Sequence, residues 1–107
     1  MAQGLLITIP IGTNEGIITN VFVRIFSARI YPTGQATDIN VYPYKSLSDF
    51  QQGAQPLIIS KLPPVINFPS LPITAFNNVP NVQDFIYGVL EAAIEAVTGP
   101  GTVTIVP

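Results

Sequence analysis

Any acid–base or ligand chemistry in this chain must come from six carboxylates (Glu15, Asp38, Asp49, Asp84, Glu91, Glu95), four cations (Arg24, Arg29, Lys45, Lys61), four tyrosines and scattered hydroxyls. Histidine, cysteine and tryptophan do not occur. That removes a histidine general base, Ser-His-Asp and Cys-His arrangements, and the nitrogen and sulfur ligand sets of zinc and copper. A carboxylate pair would need two acids converging in a cleft that drives their pKa values apart. Glu91 and Glu95 stand four residues apart on a helix-forming stretch that also carries Asp84. They could hold a cation, but the plainer reading is a solvated acidic face. Like charges at that spacing are mildly destabilising, and a divalent ion or basic partner would relieve them. Asp38, Asn40 and Asp49 lack the Asp-x-Asp-x-Asp-Gly pattern of a calcium loop. Gly99-Pro100-Gly101 follows a helix and reads as its stop, whereas a phosphate-cradling loop precedes one. The expectation is a non-enzyme without catalytic, cofactor-binding or metal-binding residues and without a small-molecule substrate.

Two residue groups point to recognition. Tyr31, Tyr42 and Tyr44 gather around a strand pair. They read as cross-strand aromatic packing or, with Asp38 and Asn40, as a face for sugar or protein. Arg24 and Arg29 interrupt an apolar strand, where each forms an ion pair or reaches an interface, a setting enriched in arginine.

The elements that must position these residues are mostly strands. Leu5, Ile7 and Ile9 alternate over 5–11, and Gly12-Thr13-Asn14-Glu15-Gly16 reads as a turn. A long strand is expected over about 17–31. There Val21, Val23 and Ile25 face one way and Phe22, Arg24, Phe26, Ala28 and Ile30 the other, with a bulge near Ser27-Ala28. Pro32-Thr33-Gly34-Gln35 reads as a turn into a third strand, about 37–44, which Pro43 places at an edge or ends. Ser46 with Asp49 predicts a short capped helix stopped by Gly53. Pro56–Ser60 reads as a fourth short strand. Residues 61–80 carry five prolines among apolar residues; proline excludes a helix there. Either they lie extended across the domain's own sheet, or they form an arm burying its apolar groups on another chain. Asn81 as N-cap, Asp84 in the first turn and Gly99 after the end bound a helix over 82–98. The periodicity puts Ile86, Leu90, Ala93 and Val97 on the sheet and Gln83, Tyr87, Glu91, Glu95 and Thr98 opposite. Residues 102–106 alternate as a last strand. Together these predict one domain over 1–107 of the α+β class, mainly β. It would be an antiparallel sheet or small sandwich with a C-terminal helix packed on it, whose terminal strands 5–9 and 102–106 are available to another chain.

Composition sharpens the functional expectation. Charged residues are 9% of the chain and hydrophobic ones 48%, with net charge −2, whereas soluble domains average about 25% charged. Such a chain is membrane-embedded, covered by uncharged polar groups, or buried against partners. No run approaches the ~20 apolar residues of a spanning helix, and the start lacks the basic region of a secretory signal. An untargeted, intracellularly made protein is therefore expected. Four dispersed cations also argue against nucleic acid as the main partner.

The succession Val21-Phe22-Val23-Arg24-Ile25, then Ile39-Asn40-Val41-Tyr42-Pro43-Tyr44-Lys45, then Phe50-Gln51-Gln52-Gly53-Ala54-Gln55-Pro56, closed by a helix over Val82–Thr98, resembles small virion proteins of tailed bacteriophages. The resemblance spans roughly residues 20–98. The proline-rich segment and the low charge depart from it. It implies a structural subunit repeated by symmetry in the capsid, neck, tail or fibre base and assembled in the virion. Its partners would be copies of itself or other virion proteins, held through apolar surfaces and edge strands. The residues expected at such interfaces are Arg24, Arg29, Tyr42, Tyr44, Val65, Ile66, Phe68, Leu71, Ile73 and Phe76. The competing classes are a free-standing carbohydrate-binding module using the tyrosine face, and an enzyme working through carboxylates alone.

Overall fold

The computed structural model describes residues 3–31, 36–59, 61–69, 71 and 73–107. The turn expected at Pro32-Thr33-Gly34-Gln35 lies outside them.

Seven strands and two helices follow one another: β1 (Gly4–Ile7), β2 (Ile11–Thr13), β3 (Gly16–Ile18), β4 (Val21–Ile30), β5 (Thr37–Tyr44), α1 (Leu47–Gln51), β6 (Val65–Phe68), α2 (Val82–Thr98) and β7 (Val103–Val106), with a 3-10 turn at Ile73–Phe76 before α2. The main sheet has the order β6-β5-β4-β1-β7, and β2 and β3 form a separate ribbon. Every pairing is antiparallel. The mainly-β, antiparallel fold with a packed C-terminal helix is therefore as the sequence patterning predicts.

The expected long second strand is two strands. Asn20 sits at φ 61, a left-handed turn conformation that asparagine tolerates better than most residues, and it separates β3 from β4. The bulge falls between Ile25 and Ser27, so Phe26 is the extra residue. The first expected strand likewise divides into β1 and β2, and the 12–16 turn narrows to the tip of the β2–β3 ribbon. Pro43 pairs with Val23. Val41 N–H donates to the Pro64 carbonyl on the opposite side; by alternation the Pro43 nitrogen also faces away from β4, past the end of β6, so no ladder bond is lost. Ser46 caps α1 by accepting from the Asp49 amide at 3.1 Å, and Gly53 follows the helix at φ 76, where a side chain would be strained.

Three expectations are corrected. Pro56–Ile59 is no strand: Ile59 makes isolated bridges to Thr13 and Leu62 while Leu57 and Ile59 bury their side chains. The terminal strands are not spare. β1 is held between β4 and β7, because Leu5 and Ile7 lie opposite Val23 and Val21 on one side and Ile105 and Val103 on the other. Finally, the buried stripe of α2 is Ile86, Tyr87, Leu90 and Ile94, rotated from the expected one. Val97 is 55% exposed and Tyr87 is 2% exposed. The helix turns its largest side chain to the sheet because the Tyr87 hydroxyl finds partners there.

One core results. Leu5, Ile7, Val21, Val23, Ile39 and Val41 from the sheet meet Ile86, Leu90 and Ile94 from α2. Fully burying each such side chain stabilises the fold by about 1.5–3 kcal/mol before entropy is counted. Gly4 is tightly enclosed: a Cβ there would sit 2.6 Å from the Phe22 ring and 2.7 Å from the Val23 carbonyl oxygen. The chain's 6060 Å² of accessible surface is close to the about 5,800 Å² expected of a free-standing domain of this mass. The core therefore closes within one chain.

Candidate interaction surface

β4 carries every feature of interest because its two halves have different neighbours. Its first part, Val21–Val23, is paired with β1, and from Phe22 onward it is paired with β5 as well. Its second half is paired with β5 alone among the described residues. The boundary is made by Tyr87. Its hydroxyl accepts from the Ile25 amide at 3.0 Å and donates to the Gln3 carbonyl at 3.3 Å. It thus stands in for the next rung of the β1–β4 ladder, and the two strands separate there. Beyond it the chain is open: Phe26 is 64% exposed, and Ser27, Ala28 and Arg29 are exposed.

The register sorts the side chains of the sheet onto two faces. Ala28 and Ile30 share the α2 face with Ile39 and Thr37, and Ser27 and Arg29 share the opposite face with Asn40 and Asp38. On that opposite face the end near α1 is aromatic. The Phe50 ring packs 5.2 Å from Tyr44 and 6.2 Å from Phe22, and Arg24 lays its guanidinium 4.5 Å above the Phe50 ring. Arg24 also donates to the Gln3 carbonyl at 3.2 Å. Burial, with neighbouring Tyr42 adding to it, pushes the Tyr44 hydroxyl above the usual tyrosine range. In the middle, Phe26 and Tyr42 stack at 4.9 Å. The far end is polar. Asp38 accepts from the Asn67 amide at 2.6 Å and the Tyr31 hydroxyl at 2.7 Å. Asn40 donates to the Ser27 hydroxyl at 3.1 Å. The Asn67 bond, then the Tyr31 bond, hold the Asp38 carboxyl below the usual range, and Arg29 across the rung adds to this.

The remaining acids are spread out, and Glu15, Asp49 and Glu95 have local structural partners. Glu15 pairs with Lys45 at 2.6 Å, an exposed bridge that raises the Lys45 pKa through the hydrogen bond and the charge together. Asp49 lies in the α1 cap, Asp84 receives the Asn81 cap through its amide, and Glu95 accepts from the Val103 amide at 3.3 Å. Among the described residues no three acids gather in a metal-binding group, and no helix is long and apolar enough to cross a membrane.

The ten residues expected at interfaces fall into distinct places. Arg24 and Tyr44 serve the aromatic packing under α1, and Tyr44, 7% exposed, is closed to a partner. Arg29 and Tyr42 stay on the open face. The segment 61–80 lies on its own sheet, the first of its two readings: β6 pairs with β5, and Ile66, Phe68 and Phe76 pack against the core. Phe76 meets Phe85 edge-on at 5.3 Å, and Leu71 accepts from the buried Thr37 hydroxyl through its carbonyl. Ile73 opens the 3-10 turn. Val65 is 46% exposed on the outermost strand. Beside it runs an apolar groove of about 470 Å³ between β5 and the 55–64 loop, walled by Tyr42, Pro43, Pro56, Ile58 and Pro64.

Patterning did not single out Tyr87, which was placed on the polar side of α2. The spacing Tyr87, Leu90, Ile94 was the available signal, one step around the helix from the spacing preferred. Compared with known proteins, the chain matches no protein-family model, no curated protein and no solved structure.

Proposed function

We propose that the chain is a non-enzymatic structural subunit, a component of a tailed-phage virion in the capsid decoration, neck, tail or fibre base, that holds neighbouring subunits through open strand edges and apolar surface. The observation that carries this reading is the outer half of β4. Among the described residues it is an unpaired strand edge whose Phe26 is 64% exposed, in a chain with only 9% charged residues. An open edge is a template for pairing with another chain. The resemblance over residues 20–98 supports the virion setting, and the dispersal of the acids supports a non-catalytic role. Because one chain closes its own core, a subunit of this kind would fold before it assembles.

The experiment is mass spectrometry of purified particles. Peptides of this chain in fixed stoichiometry with the other particle proteins are the expected result; consistent absence from intact particles overturns the virion reading.

A second reading is favoured by one feature of the open face. The stacked Phe26–Tyr42 pair lies beside the Ser27–Asn40 and Asp38–Asn67 bonds, an aromatic platform next to fixed polar groups such as sugar rings use. A free carbohydrate-binding module predicts a stable monomer that binds members of a glycan panel and loses them on Tyr42→Ala. A panel without a binder removes this reading.

A further inference from the structure

We infer that the open face of β5 binds a neutral, extended oligosaccharide, with one sugar unit on the Phe26–Tyr42 stack and the next seated between Arg29 and Asp38. The inference rests on the sugar-binding reading of this face and names the class of sugar. It does not depend on the subunit reading.

β5 spaces the two positions. Tyr42, Asn40 and Asp38 alternate onto one face of the sheet, with Ser27 and Arg29 beside them on β4. At about 3.3 Å per residue, Tyr42 and Asp38 stand about 13 Å apart along the strand. That exceeds a single pyranose ring and suits two linked units. A straight row favours an extended chain, because a helical one curls away from it. At the first position Phe26 stacks on Tyr42 at 4.9 Å and stays 64% exposed, a ring on which the apolar C–H face of a pyranose can pack. At the second, a recess of about 280 Å³ is walled by Ser27, Arg29, Asp38, Asn40 and Val65. It falls just short of the about 300–1,000 Å³ of whole small-molecule pockets, so it fits one unit of a longer ligand.

The recess offers fixed acceptors beside open donors. Asn67 and Tyr31 each donate to a different oxygen of Asp38. This holds the carboxylate in place and leaves acceptor capacity on both oxygens, since a carboxylate has about four lone-pair sites. Asn40 is oriented by its bond to Ser27 at 3.1 Å. Arg29 is exposed, and its guanidinium has no ion pair or hydrogen bond among the described residues. A sugar hydroxyl both donates and accepts, so neighbouring hydroxyls can bridge from Asp38 to Arg29. Charge then selects a neutral ligand. An acidic sugar brings its carboxylate near Asp38 and an amino sugar its ammonium near Arg29, whereas a neutral one leaves the two charges balanced.

The test follows amide NMR shifts of the full chain as glucose, cellobiose and cellotriose are added, with trigalacturonate as the acidic counterpart. The expected result is shifts centred on Arg29, Asp38, Asn40 and Tyr42. Cellobiose and cellotriose should bind at least about tenfold more tightly than glucose, and trigalacturonate more weakly than cellotriose. Arg29→Gln and Asp38→Asn remove a charge and nearly keep side-chain size. Each should weaken cellotriose binding by about tenfold, while Glu91→Gln on α2 leaves it unchanged. The wild-type shift map decides should either variant lose its fold. Glucose binding as tightly as cellotriose, tighter binding of trigalacturonate, or unchanged binding by both folded variants overturns the inference and leaves the sugar-binding reading standing. Shifts centred elsewhere, or none with any of these sugars, also overturn it, and the glycan panel then decides the sugar-binding reading separately.

Discussion

Two of the edges of the main sheet, that of β7 and that of the outer part of β4, are treated differently. On β7 the first outward amide, Val103, is taken by the Glu95 carboxylate reaching from α2, which blunts the edge with a charge, a common protection against unwanted pairing. On the outer half of β4 nothing comparable is present among the described residues: the nearest charged side chain on the strand, Arg29, lies on the open face across from Asp38, and Phe26 is exposed. A third of the way along one strand the molecule changes from a doubly paired core element to an open ledge, and the Tyr87 hydroxyl marks the point of change. The difference teaches that this fold keeps its stability and its capacity for contact in separate halves of the same strand.

Substitutions should respect that division. Leu90→Ala, in the closed half and 0% exposed, is expected to cost about 2–5 kcal/mol in urea unfolding. Phe26→Ala, on the ledge, loses mainly its stack with Tyr42 and should cost about 1 kcal/mol or less. Equal losses would mean that the ledge belongs to the core. Gly4→Ala forces a methyl against Phe22 and the Val23 carbonyl and is expected to cost about 1–3 kcal/mol by overpacking; a neutral result would show that β1 and β4 can part without penalty. Tyr87→Phe keeps the ring but strips the bridge between Ile25 and Gln3, leaving a part-buried amide without its acceptor, for a loss of about 1–2 kcal/mol and faster exchange of the Ile25 amide. If Ile25 exchanges no faster, the boundary between the halves lies elsewhere.

The smallest effect is one of pH, confined to the open face. Asp38 is held below the usual carboxylate range by Asn67 and Tyr31. A carboxyl lowered in the folded state contributes its stabilisation above the unfolded pKa and loses it as pH falls through the folded one. The Tyr31–Asp38–Asn67 bonds should therefore be constant from neutral pH down through the ordinary aspartate range and loosen only below it. An NMR titration of the Asp38 carboxyl checks this, and a midpoint at or above the ordinary value would contradict it.

Much of this was legible from the chain because it depends on local pattern. Asn81, Asp84 and Gly99 bound α2 at the observed residues, Ser46 and Asp49 marked α1, and the alternation over 37–44 located β5 with Pro43 at its end. What was not legible depends on tertiary pairing. Nothing in Ile17–Ile30 signals that Asn20 splits the run, because a left-handed asparagine is only one of several local options. The split of the terminal strands' availability was missed for the same reason: apolar alternation in 103–106 is equally consistent with an internal and an external partner. The face of α2 was misjudged by one step because tyrosine reads as amphipathic, and whether its hydroxyl points to water or bridges two strands is decided by β1 and β4, far away in sequence. On the candidate surface, Arg29 and Tyr42 have side chains that patterning can flag, whereas the outward amides of Ala28 and Ile30 carry no side-chain signature.

Amide hydrogen exchange of the wild-type chain in dilute solution tests the central claim most directly. The account predicts that Val21 and Val23 exchange only through global unfolding while Ala28 and Ile30 exchange locally. If those two amides are as protected as Val21 and Val23 in the dilute monomer, the outer half of β4 is not an open edge and the account is wrong.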